Sequence, residues 1–230
     1  ERLAMRKTII ILTLLLLSFS AYVIIINRNS TETSMRQKIL KAFYPLLTGI
    51  TKLTGKNSKA HLSDARIQPP VSFYSLSVKL NSGKDLHFDS LRGNKVLLVN
   101  TASDCGYTAQ YDELQRLHEM YKDKLVIIGF PANDFKEQEK GTDADIAEFC
   151  RVNYGVTFPL AAKSSVKKGR DQHEVFNWLS DSKKNGWNDM APIWNFSKYL
   201  ISNNGELIGY FEPSVSPMGK EIRLALLLHE

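Results

Sequence analysis

Cysteine is scarce in this chain, which has two, Cys105 and Cys150, in 230 residues. Two are too few to staple a secreted disulfide scaffold. No Cys-x-x-Cys occurs, because the fourth position counted from Cys105 is Thr108, and this argues against a dithiol oxidoreductase. The five histidines, His61, His87, His118, His173 and His229, are scattered without ligand spacing, so no metal site is expected. Carboxylates are nearly missing from residues 1–66, which hold 3 Asp/Glu against 11 Lys/Arg, a net +8. The remainder holds 21 against 19, a net −2, so the formal +6 of the whole chain belongs to its leader. That distribution gives no case for a nucleic-acid partner. Internal repeats are also lacking.

Charge is absent altogether from Thr8 to Ile26, 19 residues that are almost all aliphatic. A helix of that length spans a bilayer core. Arg6 and Lys7 precede it like the n-region of a signal peptide, and a cleavage site would fit at Ser18-Phe19-Ser20 before Ala21. Tyr22 to Ile26 continues the apolar run past that point, so residues 1–28 are read as an uncleaved single-pass anchor. Arg6 and Lys7 argue for an exported domain, whereas Arg28, Arg36, Lys38 and Lys41 argue the reverse. Export is the side leaned to. The chain opens on Glu1, with Met5 and Met35 as alternative starts; a start at Met35 would remove the anchor and make the protein cytoplasmic.

Residues 29–66 read as a basic amphipathic segment and linker. Within Met35 to Lys56, Ile39, Leu40, Phe43, Leu47 and Ile50 fall near helical spacing with lysines elsewhere, and Pro45 is expected to break or kink the helix. The segment is read as lying on a membrane surface, ahead of the alternative of a helix packed on the domain. Lys56 to Pro70 reads as a polar linker, and residues 67–230 as the folded domain.

Cys105 lies in the run Asn100 to Thr108 (NTASDCGYT), after the strand signal Val96 to Val99 and before a helical pattern that starts near Gln110. A cysteine at a strand-to-helix junction feels the positive end of the helix and its unpaired amides. Its pKa is therefore expected below the free value of about 8.5, with the thiolate as nucleophile. A buried structural cysteine is the commoner fate of a lone thiol.

Two further blocks supply partners for the sulfur: FPANDFKEQEKGT (Phe130 to Thr142) after a second strand signal, and WNFSKYL (Trp194 to Leu200). With NTASDCGYT they resemble the three signatures of the glutathione peroxidase family, in its cysteine-containing, bacterial-type, non-selenium form. The resemblance runs from about Val71 to the C-terminus and includes IAEFCRVNYGVTFPL (Ile146 to Leu160). It implies a catalytic tetrad of Cys105, Gln138, Trp194 and Asn195. The residue types suit the task, since neutral amide and indole N–H donors can hold a thiolate without protonating it. The same donors can stabilise charge as the peroxide O–O bond breaks.

The chain also departs from the family. Where a Cys-Asn-Gln-Phe-Gly-Gly run is common, it has Ala132, Asn133, Asp134, Phe135, Lys136 and Glu137. Asp104 stands where lysine is frequent and is expected to oppose ionisation of Cys105. Lys140 replaces a common proline, which loosens its loop.

The resemblance implies a thiol-dependent peroxidase that reduces hydrogen peroxide and organic or lipid hydroperoxides through a sulfenic acid on Cys105. It needs no bound cofactor and takes electrons from an external thiol, glutathione or thioredoxin. Cys150 is the candidate resolving cysteine, one residue before the position that resolves in some members. It also continues an i, i+3, i+4 apolar pattern with Ile146 and Phe149, so a core role stays open. The alternative function is a membrane-tethered redox sensor or relay that passes oxidation to a partner protein; fast oxidation with slow turnover would distinguish it. A peroxiredoxin would carry threonine three residues before its cysteine, where this chain has Ala102.

The expected fold is α/β: a thioredoxin fold with a central mixed sheet, helices on both faces, and a transmembrane helix ahead of it. Strands are expected from Val71, at Val96–Asn100 and Leu125–Phe130, and near Phe158–Ala162. A hairpin is expected across Asn203-Asn204-Gly205. Helices are expected at Gln110–Lys122, Asp143–Val152, near Gln172–Ser182 and at Pro217–Leu228, with Thr142 as the N-cap of the second.

Overall fold

The computed structural model of the protein describes residues 2–27, 33–55, 58–63 and 66–227. Glu1, Arg28, Lys56, Leu228 and His229, on which expectations fell, lie outside the described residues. The chain starts with α1 (Arg2–Ile26) and α2 (Met35–Thr54), followed by the short strand β1 (Ala60–Leu62). A hairpin of β2 (Ser77–Lys79) and β3 (Asp85–His87) leads into β4 (Lys95–Thr101), α3 (Gln110–Tyr121) and β5 (Leu125–Pro131). Then come α4 (Asp143–Tyr154), α5 (Glu174–Leu179), α6 (Ser182–Asn185), β6 (Lys198–Ile201), β7 (Leu207–Phe211) and α7 (Lys220–Leu227).

Five strands form one sheet in the order β1-β7-β6-β4-β5. β4 and β5 run parallel, and the other neighbours run antiparallel. Every residue of β4 is buried, because successive side chains point into two different cores. Leu97 and Val99 join Leu114, Leu117, Ile146 and Ile222 from α3, α4 and α7 on one face. Val96 and Leu98 join Val175, Phe176 and Leu179 from α5 on the other. The architecture is the expected thioredoxin fold, a mixed sheet with helices on both faces.

Several local expectations change. The linker contains β1, whose Ala60 and Leu62 register with Phe211 and Gly209 at the sheet edge. Its polar sequence hides it, because an edge strand of three residues needs little apolar patterning. Chain after Val71 first makes a 3-10 turn, Phe73–Ser75, capped by the Ser72 side chain. The stretch Phe158–Ala162 is reduced to isolated bridges, Gly129 with Leu160 and Leu80 with Ala161. Pro159 lacks the N–H that a longer ladder would use. Thr142 does cap α4, in a reciprocal box with Asp145.

The leader is helical. Arg6–Ile26 of α1 is long and apolar enough to cross a membrane, and nothing in the described protein buries it. α2 runs unbroken through Pro45, contrary to the expected break, with the Thr48 hydroxyl donating to the carbonyls of Tyr44 and Pro45. One face of α2 packs on the domain, the alternative placed second at the sequence level. Ala42 and Tyr44 are buried, the Tyr44 hydroxyl donates to Glu113 Oε1 at 2.9 Å, and Lys41 Nζ lies 3.1 Å from Asp112.

Candidate active site

β4 ends at Thr101, and α3 does not begin until Gln110, so Cys105 sits in the turn between them rather than in the first helical turn. The turn is stapled by one side chain. Thr108 Oγ1 donates to the Ala102 carbonyl at 2.8 Å and accepts from the Cys105 amide at 3.0 Å. The Thr108 amide donates back to the Cys105 carbonyl at 3.1 Å. This closure aims the Tyr107 amide at the sulfur, at 3.5 Å.

Trp194 and Asn195 reach the same place through Asn100, at the end of β4. Asn100 Nδ2 donates to the Trp194 carbonyl at 3.1 Å, and its Oδ1 accepts from the Ser197 amide at 3.0 Å. Phe196 between them has a left-handed φ of 68°, a conformation that disfavours a side chain, and its ring is buried against Tyr111 at 5.4 Å. Gln138 comes from the loop after β5. Its backbone carbonyl accepts from the Asp104 amide at 3.0 Å, and its Oε1 accepts from Asn195 Nδ2 at 3.0 Å. The structure thus gathers the four expected side chains, with Trp194 and Asn195 among the groups that oppose the raised pKa of Cys105 and Gln138 joined through Asn195. Asn100 was not singled out at the sequence level, although it lies in the same block as Cys105.

Lys136 and Glu137 both have left-handed φ, 54° and 51°, just before Gln138. These are the positions of the family's Gly-Gly, and side chains there cost about 1–2 kcal/mol each. On the surface of this turn Lys140 and Glu137 form an exposed ion pair at 3.3 Å, and the Lys136 ammonium lies 5.7 Å from the Trp194 ring centre.

The electrostatics correct one expectation. Burial raises the Cys105 thiol above its ordinary value, and the Tyr107 amide, Trp194, Asn195 and the Gly106 amide only partly oppose this. The expected lowering fails because the residue is 1% exposed and α3 starts too far away to dominate. The Asp104 carboxylate pairs with Arg36 of α2. Cys150 is buried in the α3–α4 core, where desolvation pushes it up to about 12 despite the neighbouring Tyr111 hydroxyl. Both thiols are free.

Glu139, next to Gln138, is 1% exposed, and burial raises it from 4.5 to about 7, with Ser103 and Lys163 opposing the shift. The folded protein keeps a proton that the unfolded chain releases, so stability falls as pH rises from 4.5 to about 7. Glu139→Gln is expected to remove that slope and to stabilise the protein above pH 7 by on the order of 2 kcal/mol. Thermal unfolding across this range checks it; an unchanged slope in the variant rejects the assignment.

Comparison with known proteins agrees with this geometry. The profile described as "Glutathione peroxidase" matches residues 73–180. The chain is 40% identical over 161 residues to "Glutathione peroxidase homolog BsaA" of Bacillus subtilis, covering 70% of this chain and 100% of that protein. It is 42% identical over 158 residues to "Glutathione peroxidase-like peroxiredoxin 2" of Saccharomyces cerevisiae, covering 68% of this chain and 97% of that one. Among solved structures, T. cruzi GPX1 superposes with a TM-score of 0.52 at 28% identity, over 68% of this chain and 94% of that chain. A thioredoxin-family thiol:disulfide interchange protein from Chlorobium tepidum, 16% identical, shares the fold with a TM-score of 0.51. The likeness covers nearly the full length of these relatives, and the blocks that hold Cys105, Gln138 and Trp194-Asn195 come together around one cysteine, so the chain belongs to the glutathione peroxidase family and is a thiol peroxidase of that family.

Proposed function

We propose that the protein reduces hydrogen peroxide and organic or lipid hydroperoxides at Cys105, with Gln138, Trp194 and Asn195 as the other members of a catalytic tetrad. The thiolate attacks one peroxide oxygen, an S–O bond forms, the O–O bond breaks, and the departing oxygen takes a proton to leave as water or an alcohol. The observation that carries this reading is the convergence of neutral donors at Cys105: the Tyr107 amide donates to the sulfur at 3.5 Å, Trp194 and Asn195 oppose the raised thiol pKa, and Asn195 holds Gln138. Their partial positive charge favours the thiolate and the charge that develops in the transition state.

The sulfenic acid is reduced by an external thiol, glutathione or thioredoxin. One thiol displaces water to give a mixed disulfide, and a second thiolate releases Cys105. The burial of Cys150 beside Tyr111 supports this one-cysteine route, because a thiol raised to about 12 offers little thiolate near neutrality. α1 serves as a single-pass membrane anchor with the domain on the exported side. Its uncovered apolar surface and the basic residues Arg6 and Lys7 before it support that reading.

Intact mass of the full chain after one equivalent of hydrogen peroxide tests the chemistry, with wild type and Cys150→Ser compared. Gain of one oxygen in both is expected. Loss of two hydrogens in wild type alone would establish Cys150 as the resolving residue and overturn the one-cysteine route. No mass change in either would sink the peroxidase reading.

A further inference from the structure

α2 has two working faces. Arg36 pairs with Asp104, Gln37 Nε2 donates to the Ser103 carbonyl at 3.0 Å, and Leu47 lies over Gly106, 3.1 Å from where a Cβ would stand. These contacts bracket Cys105 from both sides. The cavity of about 980 Å³ that reaches Gln138 is walled on one side by the first turn of α2. Cys105 is 1% exposed, and α2 holds the Ser103–Gly106 loop that carries it.

The opposite face is apolar and uncovered. Ile39, Phe43, Leu46, Ile50 and Leu53 recur at steps of four, three, four and three residues and are 41 to 90% exposed. That spacing makes one stripe along a helix. The helix carries Arg36, Lys38, Lys41 and Lys52 and no carboxylate. Arg36 and Lys41 are paired with Asp104 and Asp112 of the domain, so the charge that favours an anionic lipid surface is the net +8 of residues 1–66 to which this helix belongs. The stripe is also continuous with α1. The Phe43 ring packs on Phe19 at 5.2 Å, and Asn27 Nδ2 donates to the Lys38 carbonyl at 3.1 Å. Phe19 lies seven residues before the end of α1, about 10 Å along a helix, near the limit of the depth to which interfacial helices bury their apolar face.

We propose that α2 is a bilayer-surface helix that stays docked on the Cys105 loop, so that the cavity walled by its first turn is held beside anionic lipid and receives hydroperoxides carried by that membrane. The inference rests on the thiol-peroxidase reading and extends it to a substrate surface outside the part of the chain that the family profile matches.

The test uses the full chain in vesicles of equimolar phosphatidylcholine and phosphatidylglycerol. Wild type is compared with Leu46→Glu/Ile50→Glu, both exposed positions outside the site. On phosphatidylcholine hydroperoxide in the vesicles, kcat/KM is expected to fall about tenfold or more in the variant, the loss that follows from removing two apolar side chains from lipid. On hydrogen peroxide the two proteins should match, which also shows that the variant is folded. Equal rates on the lipid substrate, or equal losses on both peroxides, overturn the proposal. Hydrogen exchange of residues 36–53 reads lipid contact without turnover. Protection in wild type that the variant loses supports the proposal, and no protection in wild type rejects it. A wild type inactive toward hydrogen peroxide would instead sink the peroxidase reading, which these exchange data do not depend on.

Discussion

With serine in place of Cys105, peroxide turnover is expected to fall by about a thousandfold or more, the scale on which loss of a covalent nucleophile is felt. A hydroxyl at this position cannot supply the anion that attacks the O–O bond. The surrounding donors do not compensate, because the Tyr107 amide, Trp194 and Asn195 stabilise an anion that serine does not form near neutral pH. The turn itself is held by backbone groups and the Thr108 hydroxyl, so folding is expected to survive the exchange. Peroxide consumption with a small thiol as reductant, alongside thermal unfolding of both proteins, checks this. A folded variant that keeps several per cent of the activity would move the chemistry away from Cys105.

Asn195→Ala is expected to have the next largest effect. Its carboxamide acts on the sulfur and also donates to Gln138 Oε1 at 3.0 Å, so one truncation removes a donor and releases a second side chain. Loss of a preorganised donor of this kind costs about a hundredfold or more. The thiol pKa is expected to rise, since Asn195 is one of the groups that hold it down. Gln138→Ala alone should cost less, and the double variant should be no slower than Asn195→Ala, because Gln138 has lost its orientation already. Stopped-flow oxidation by hydrogen peroxide in the four proteins measures the coupling. Fully additive losses would mean that Gln138 does not depend on Asn195.

Much of this was readable from residue order. Val96 to Val99 and Leu125 to Phe130 are uninterrupted apolar runs, as a buried parallel pair requires, and they form β4 and β5. Asp143, Asp145 and Thr142 mark the start of α4 by capping chemistry. Cys105, Gln138, Trp194 and Asn195 were legible only through their blocks, because a lone Gln or Trp carries no sign of the sulfur it faces. What stayed hidden depends on contacts far apart in the chain. β1 exists because β7 offers an edge, and α2 docks because Ser103, Asp104 and Glu113 happen to present partners to it. The direction of the Cys105 shift was missed for the same reason. Proximity to a helix is local, whereas burial is decided by the whole fold.

The short edge strand β1 also limits how far the catalytic domain can wander from α2. Five residues separate Thr54 at the end of α2 from Ala60, which is fixed to Phe211 at the sheet edge. Fully extended, such a leash reaches at most about 20 Å. A helix that lets go of the Cys105 loop therefore remains at an effective concentration of about millimolar beside it. Beside the Tyr44–Glu113 and Lys41–Asp112 contacts, one ion pair, one amide bond and one leucine then suffice to keep the helix docked on the loop.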